Sequence, residues 1–162
     1  SLSTDFVDSD EEIVKRAGIS IREIFELSGE EKFRDIEQRV IKEVLSRPPM
    51  VLSTGGGAFI STHTGEILNG GAITIWLRAK PETLLSRMEN FNNRPLLLKG
   101  DPLLALTNLQ RERKPYYQKA HVVIDTDNLS SGQSLKILIS ALKERDVLKL
   151  ENQKMKVYND SD

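Results

Sequence analysis

The stretch VLSTGGGAFI, residues 51 to 60, runs a short apolar, β-branched segment into three consecutive glycines, Gly55, Gly56 and Gly57. With Met50 in front of it, MVLS has the continuous apolar look of a strand buried on both faces of a parallel sheet. Glycine gives the backbone its greatest freedom and loses the most entropy on ordering. Three in succession after a strand therefore mark either a tight strand-to-helix turn or a close approach of backbone to a ligand, with phosphate the first candidate. The pattern G-x-x-x-x-G-K-[ST] occurs nowhere in the 162 residues, which weakens the phosphate reading at this site.

Outward from these glycines, strands alternate with helices. TDFVDSD reads as a short strand ending in acids, and EEIVKRAG as a helix with acids in its first turn and Gly18 as its stop. Ser20 with Glu23 and Ser28 with Glu31 both match the capping box, giving two helix starts eight residues apart. Phe33, Ile36, Val40, Ile41, Val44 and Leu45 recur at helical spacing up to the stop at Pro48 and Pro49. AITIWL at 72 to 77 and HVVID at 121 to 125 are two further buried-strand patterns. A helix opening at Pro81 follows the first of these, another runs from Pro102 toward Tyr117, and SSGQSLKILISALKE closes the pattern with Leu135, Leu138, Ile139 and Leu142 in one stripe. The turn-rich segment NFNNRPLLLKGD, about 90 to 102, has the length and composition of a functional loop or lid. This alternation predicts an α/β fold, a parallel sheet flanked by helices in three layers, with ligands at the carboxyl ends of the strands.

The length suits one domain, expected over 1 to 150, and the polar residues 151 to 162 read as a disordered tail. Lys and Arg number 23 against 24 Asp and Glu, a net charge of −1, so no overall field draws nucleic acid or anionic membrane. The chain has no cysteine, no apolar run near the roughly 20 residues that span a bilayer, and no signal pattern at Ser1. A cytoplasmic protein is expected.

Three strand ends carry suggestive residues: Asp8 and Asp10, the glycine triplet, and Asp125. If strand geometry persists through Ser9, Asp8 and Asp10 point to one side, placed to hold a hydrated cation or to take a hydroxyl proton; otherwise they cap a helix beginning at Glu11. Arg34 and Glu37 stand one helical turn apart and can form an exposed ion pair. Arg94, beside Pro95 in the lid segment, is either a solvated loop residue or a guanidinium able to close over an anion. Arg111, Arg113 and Lys114 form either a solvated helix face or an anion site. His63 and His121 have no partners at metal-ligand spacing.

Taken in order, FVDSD, SIREIFELSGEEKFRDIE, VLSTGGGAF, RPLL, LQRERKPYY and VIDT resemble the shikimate kinase family over about residues 5 to 127. The resemblance implies a P-loop kinase fold with its substrate-binding helices at about 11 to 46, and ATP-dependent phosphorylation of the 3-hydroxyl of shikimate, with Mg²⁺; a monomer is expected. By position, Asp10 matches the acid that contacts the acceptor hydroxyl, and Asp8 the acid that serves Mg²⁺ through water. Arg34 and Arg113 match arginines that hold the substrate carboxylate, Phe25 and Phe33 aromatic pocket walls, and Glu37 a supporting acid. Gly55, Gly56 and Gly57 match a triplet beside the substrate. Arg94 matches the lid arginine that closes on the transferring phosphoryl group, and Arg87 an arginine near the adenine.

Two departures accompany the resemblance. The family's central strand and Gly-rich phosphate loop, a unit of roughly 30 residues, would precede FVDSD and lie between the strands matching MVLS and AITIWL; such a segment is expected upstream of Ser1. Gly65 stands where the family usually has an arginine. Two other functions fit the same residues: a related small-molecule kinase of gluconate type, and a noncatalytic small-molecule binding module.

Overall fold

A computed structural model describes residues 4–88 and 101–145. Residues 90–100 of the lid segment, with Arg94, and the tail 151–162 lie outside the described residues. Along the chain come β1 (Asp5–Asp8), α1 (Ser9–Ala17), α2 (Ile21–Leu45), β2 (Met50–Ser53) and α3 (Thr62–Gly71). They are followed by β3 (Ile75–Arg78), α4 (Pro81–Ser86), α5 (Pro102–Tyr117), β4 (Val122–Asp125) and α6 (Ser131–Glu144). Two compact units result, 1–74 and 75–162.

In the first unit β1 and β2 pair in parallel, with Asp5 opposite Met50 and Asp8 opposite Ser53. The helices α1 and α2 pack on each other, and Ile13, Ile24, Phe33, Val40 and Val44 form a buried cluster. Ile41, Ala58 and Leu68 form a second, where α2 meets the loop after β2 and α3. The helical stripe expected from Phe33 to Val44 is thus the core face of α2, with one addition, the buried Glu37. Ser20 and Glu23 form the expected capping box. The second helix start falls at Gly29 (φ 78°, ψ 174°), a conformation reserved for glycine, which breaks α2 into two helical runs.

In the second unit β3 and β4 pair in parallel, Ile75 opposite Val122 and Arg78 opposite Asp125. The apolar run AITIWL enters the sheet three residues later than its start suggests. Arg78 and Asp125 make a two-pronged ion pair, Nε to Oδ1 at 2.5 Å and Nη2 to Oδ2 at 2.7 Å, which locks that register. The helix α6 packs on β4, α4 on α5, and Asp101 caps α5 through the Leu103 N–H at 2.9 Å.

One burial expectation is corrected. The strands are not covered on both faces: Val51, Ile75, Leu77 and Val123 are exposed, and the helices that pack closely on strands among the described residues are α1 on β1 and α6 on β4. The stripe of α6 forms on a helix as expected, with Leu138, Ile139 and Leu142 half-buried and Leu135 exposed. No helix among the described residues is long and apolar enough to cross a membrane.

Candidate functional site

The register of β1 against β2 puts Asp8 beside Ser53, so the first turn of α1 and the glycine turn leave the sheet side by side. Asp8 is the N-cap of α1: its Oδ1 accepts the N–H of Asp10 at 2.8 Å and of Glu11 at 3.3 Å. Strand geometry therefore stops at Asp8, and the helix begins at Ser9 rather than Glu11. Capping satisfies helix N–H groups that otherwise have no partner. Asp10 consequently faces the glycine turn from a helical first turn, not from strand alternation.

The environment of Asp10 is unusual for a surface acid. Its Oδ1 and the neighbouring Ser9 Oγ are buried without a hydrogen-bond partner among the described residues. Burial pushes the Asp10 carboxyl up from its ordinary 3.8, the charge of Asp8 adds to this, and Arg34 pulls back only in part. A Cβ on Gly55 would lie 3.1 Å from both Asp10 carboxylate oxygens. The glycine is what lets the backbone come so close.

Arg34, on the second run of α2, lies under the other end of the turn. A Cβ on Gly57 would lie 2.6 Å from its Nη1 and 2.7 Å from its Cζ, inside any real contact. Arg34 Nη1 donates to Glu37 Oε2 at 2.7 Å, and Nη2 donates to Glu30 Oε1 at 3.2 Å. The Arg34–Glu37 pair is not the exposed one that spacing suggests, for Glu37 is only 1% exposed. Burial raises the Glu37 pKa against the opposing pull of Arg34, with the charges of Asp10 and Glu30 adding to the rise. Burial alone would lower the Arg34 pKa, but Glu37 and then Glu30 outweigh it and the net direction is up. The guanidinium also sits 5.2 Å from the centre of the Phe33 ring, which stacks on Phe25 at 4.6 Å. Phe33 is a core residue at 4% exposure, and Phe25 is half-buried beside it.

Asp10, Arg34, Glu37, Gly55 and Gly57 are thus gathered at one sheet end. Gly56 lies between the last two in the turn, which closes through Ala58 N–H to Gly55 O and Ile60 N–H to Gly57 O, both at 3.1 Å. The sequence reading overlooked Glu30, although its spacing of four to Arg34 signals a pair as plainly as that of Glu37. Gly65 is buried in α3, where a Cβ would press on the Phe59 carbonyl at 3.2 Å, so this position has no room for an arginine without moving that backbone.

The second unit holds two further candidates. Arg87 donates to Thr126 Oγ1 at 3.0 Å and to the carbonyls of Thr126 at 2.5 Å and Leu129 at 3.4 Å, tying down the loop after β4. In the same loop Asp127 accepts from Lys80 N–H at 2.9 Å and Thr83 Oγ1 at 2.6 Å. Arg113, on α5, is half-buried, and its Nε has no partner among the described residues. No group of three or more His, Asp or Glu able to hold a metal occurs among the described residues.

Fold and site together define a parallel α/β protein whose strand ends present a carboxylate and a half-buried, paired guanidinium across a glycine turn, groups of the kind that recognise hydroxyl and carboxylate. Comparison with known proteins gives that class a name. The family model described as shikimate kinase matches residues 1–143. The shikimate kinase of Caulobacter vibrioides is 41% identical over 143 residues, covering 88% of this chain and 72% of that protein. That of Thiobacillus denitrificans is 42% identical over 147 residues, covering 90% and 79%. Among solved structures, the shikimate kinase of Acinetobacter baumannii in complex with shikimate superposes with a TM-score of 0.79 at 38% identity, covering 88% of this chain and 81% of that one. The enzyme of Aquifex aeolicus gives 0.73 at 33%, covering 89% and 84%. The chain belongs to the shikimate kinase family, and its fold is the α/β fold of those structures.

Proposed function

We propose that the protein transfers the γ-phosphoryl group of ATP to the 3-hydroxyl of shikimate, giving shikimate 3-phosphate and ADP in the biosynthesis of aromatic amino acids. Membership of the family supports this, and the observation that carries it is Arg34, held by buried Glu37 and lying against Gly57, next to an Asp10 oxygen that has no partner among the described residues. Arg34 meets the substrate carboxylate with a planar donor edge, and Arg113 keeps the carboxylate-binding role that its match to the family implies. Glu37 keeps the guanidinium aimed. The backbone of Gly55, Gly56 and Gly57 lets the ring lie against the turn, with Phe25 and the Phe33 edge as apolar boundaries. Asp10 Oδ1 accepts the hydrogen bond of the acceptor hydroxyl, orients it for in-line attack and takes its proton as the bond to phosphorus forms.

Mg²⁺ suits the acids present. Asp8 keeps Oδ2 outside its two cap bonds, and a hard cation that retains much of its hydration is held readily by one such carboxylate through water. When bound, the ion neutralises phosphate charge. Arg94, outside the described residues, belongs in this reading to a lid that closes on the transferring group and excludes water. Arg87 is held to the loop after β4 through Nη1 and Nη2, and in this reading it offers an adenine its flat face. We place the protein in the cytoplasm as a monomer.

The test is an acceptor screen with ATP and Mg²⁺ in which phosphorylated product is identified for shikimate, gluconate and other small hydroxy acids. Shikimate 3-phosphate is the expected product, and a preference for gluconate overturns the reading.

A further inference from the structure

We propose that Glu30 is a resident competitor of the substrate carboxylate: it occupies the outer edge of Arg34 while the site is empty and must be displaced for shikimate to bind. The inference rests on the assignment of Arg34 to the carboxylate and extends it to a residue that governs affinity.

The two carboxylates on Arg34 differ in kind. Glu37 is buried, bonds Nη1 at 2.7 Å and cannot leave without stranding a charge in the core. Glu30 is 69% exposed, bonds Nη2 at the longer 3.2 Å and can swing into water with its charge solvated. Backbone geometry makes the contact local. Gly29 breaks α2, so Glu30 opens the second helical run and lies one turn before Arg34 on the same face.

Charge makes the two carboxylates on the outer edge exclusive. Arg34 carries one positive charge and already faces Glu37, Glu30 and the nearby Asp10. A ligand carboxylate that joined all three would meet net repulsion; one that replaces Glu30 leaves the count unchanged and gains Nη2. Glu30 thus keeps the guanidinium paired in the empty site and weakens the binding of any carboxylate there by competition, so that contacts at Asp10 and the glycine turn have to repay the exchange.

The experiment compares the wild-type protein with Glu30→Gln and Glu30→Ala in steady-state kinetics, with circular dichroism to show that each is folded. Both variants are expected to lower KM for shikimate by about two- to fivefold, the span of an exposed ion pair, with the change falling on KM rather than kcat and KM for ATP unmoved. The gain should shrink at high salt and be absent for the uncharged carboxamide analogue of shikimate as ligand. If wild-type protein turns over shikimate but KM is unchanged or raised in both folded variants, the Glu30 inference is overturned while the acceptor assignment stands. If wild-type protein does not phosphorylate shikimate, both fall.

Discussion

Gly57 shows how much of the site depends on one missing side chain. The Arg34 guanidinium occupies the space a Cβ would fill, and it is held there from behind by buried Glu37. In Gly57→Ala the arginine has to swing away from the turn and lose its aim. Because hydrogen bonds to charged groups contribute about 1.5–3 kcal/mol, shikimate affinity measured by calorimetry is expected to fall about tenfold or more, with ATP affinity much less affected. An alanine variant that binds shikimate as tightly as wild type would show that the guanidinium does not serve the ligand from this position. At this scale the sequence was legible in part. The types Asp10, Arg34 and the glycines stood out, but whether Asp8 was a cap or a ligand, and whether Glu37 was exposed or buried, depends on packing between α1, α2 and the turn after β2, which no local pattern encodes. Glu30 was legible and overlooked.

Among the elements, the helices were read more faithfully than the strands. Caps are local chemistry: Ser20 with Glu23, and the stop at Gly18 with φ 72°, follow from a few adjacent residues. Strand burial is not local, so continuous apolar runs suggested two covered faces where Val51 and Leu77 are exposed. The pairing of α1 with α2 adds a surface network. Arg16 bonds Glu43 at 2.7 Å and 2.8 Å and Glu12 at 3.1 Å, while Arg47 reaches Glu12 at 3.2 Å and Glu43 at 3.1 Å. Hydrogen bonds from Arg47 to Glu12, and from Arg16 to Glu43, lead the causes that hold both carboxyls below their ordinary 4.5. Groups whose folded pKa is depressed contribute stability above the unfolded value and lose it as pH falls through the folded one. The urea midpoint is therefore expected to drop on acidification below about pH 4.5, and Glu43→Gln should make that drop smaller. Burial-raised Asp10 and Glu37 act in the opposite sense, because acid relieves their charged forms in the folded state. A pH profile of the variant that parallels wild type would remove the network from the account.

For the molecule as a whole, composition excluded more than it assigned. A net charge of −1 leaves no general field, so recognition has to come from a few placed groups, and those groups lie at strand ends where parallel α/β folds put ligands. The order of strand, acid, helix pair and glycine turn was legible along the chain. The parallel pairing of β1 with β2 that turns this order into a site became visible only in three dimensions. The central claim is that shikimate binds at this sheet end, and amide chemical-shift mapping of the labelled protein during a shikimate titration tests it most directly. Saturable shifts are expected at Asp10, Arg34, Gly55 and Gly57. Resonances of these four residues that stay unmoved, while shifts appear only elsewhere in the chain or not at all, would contradict it.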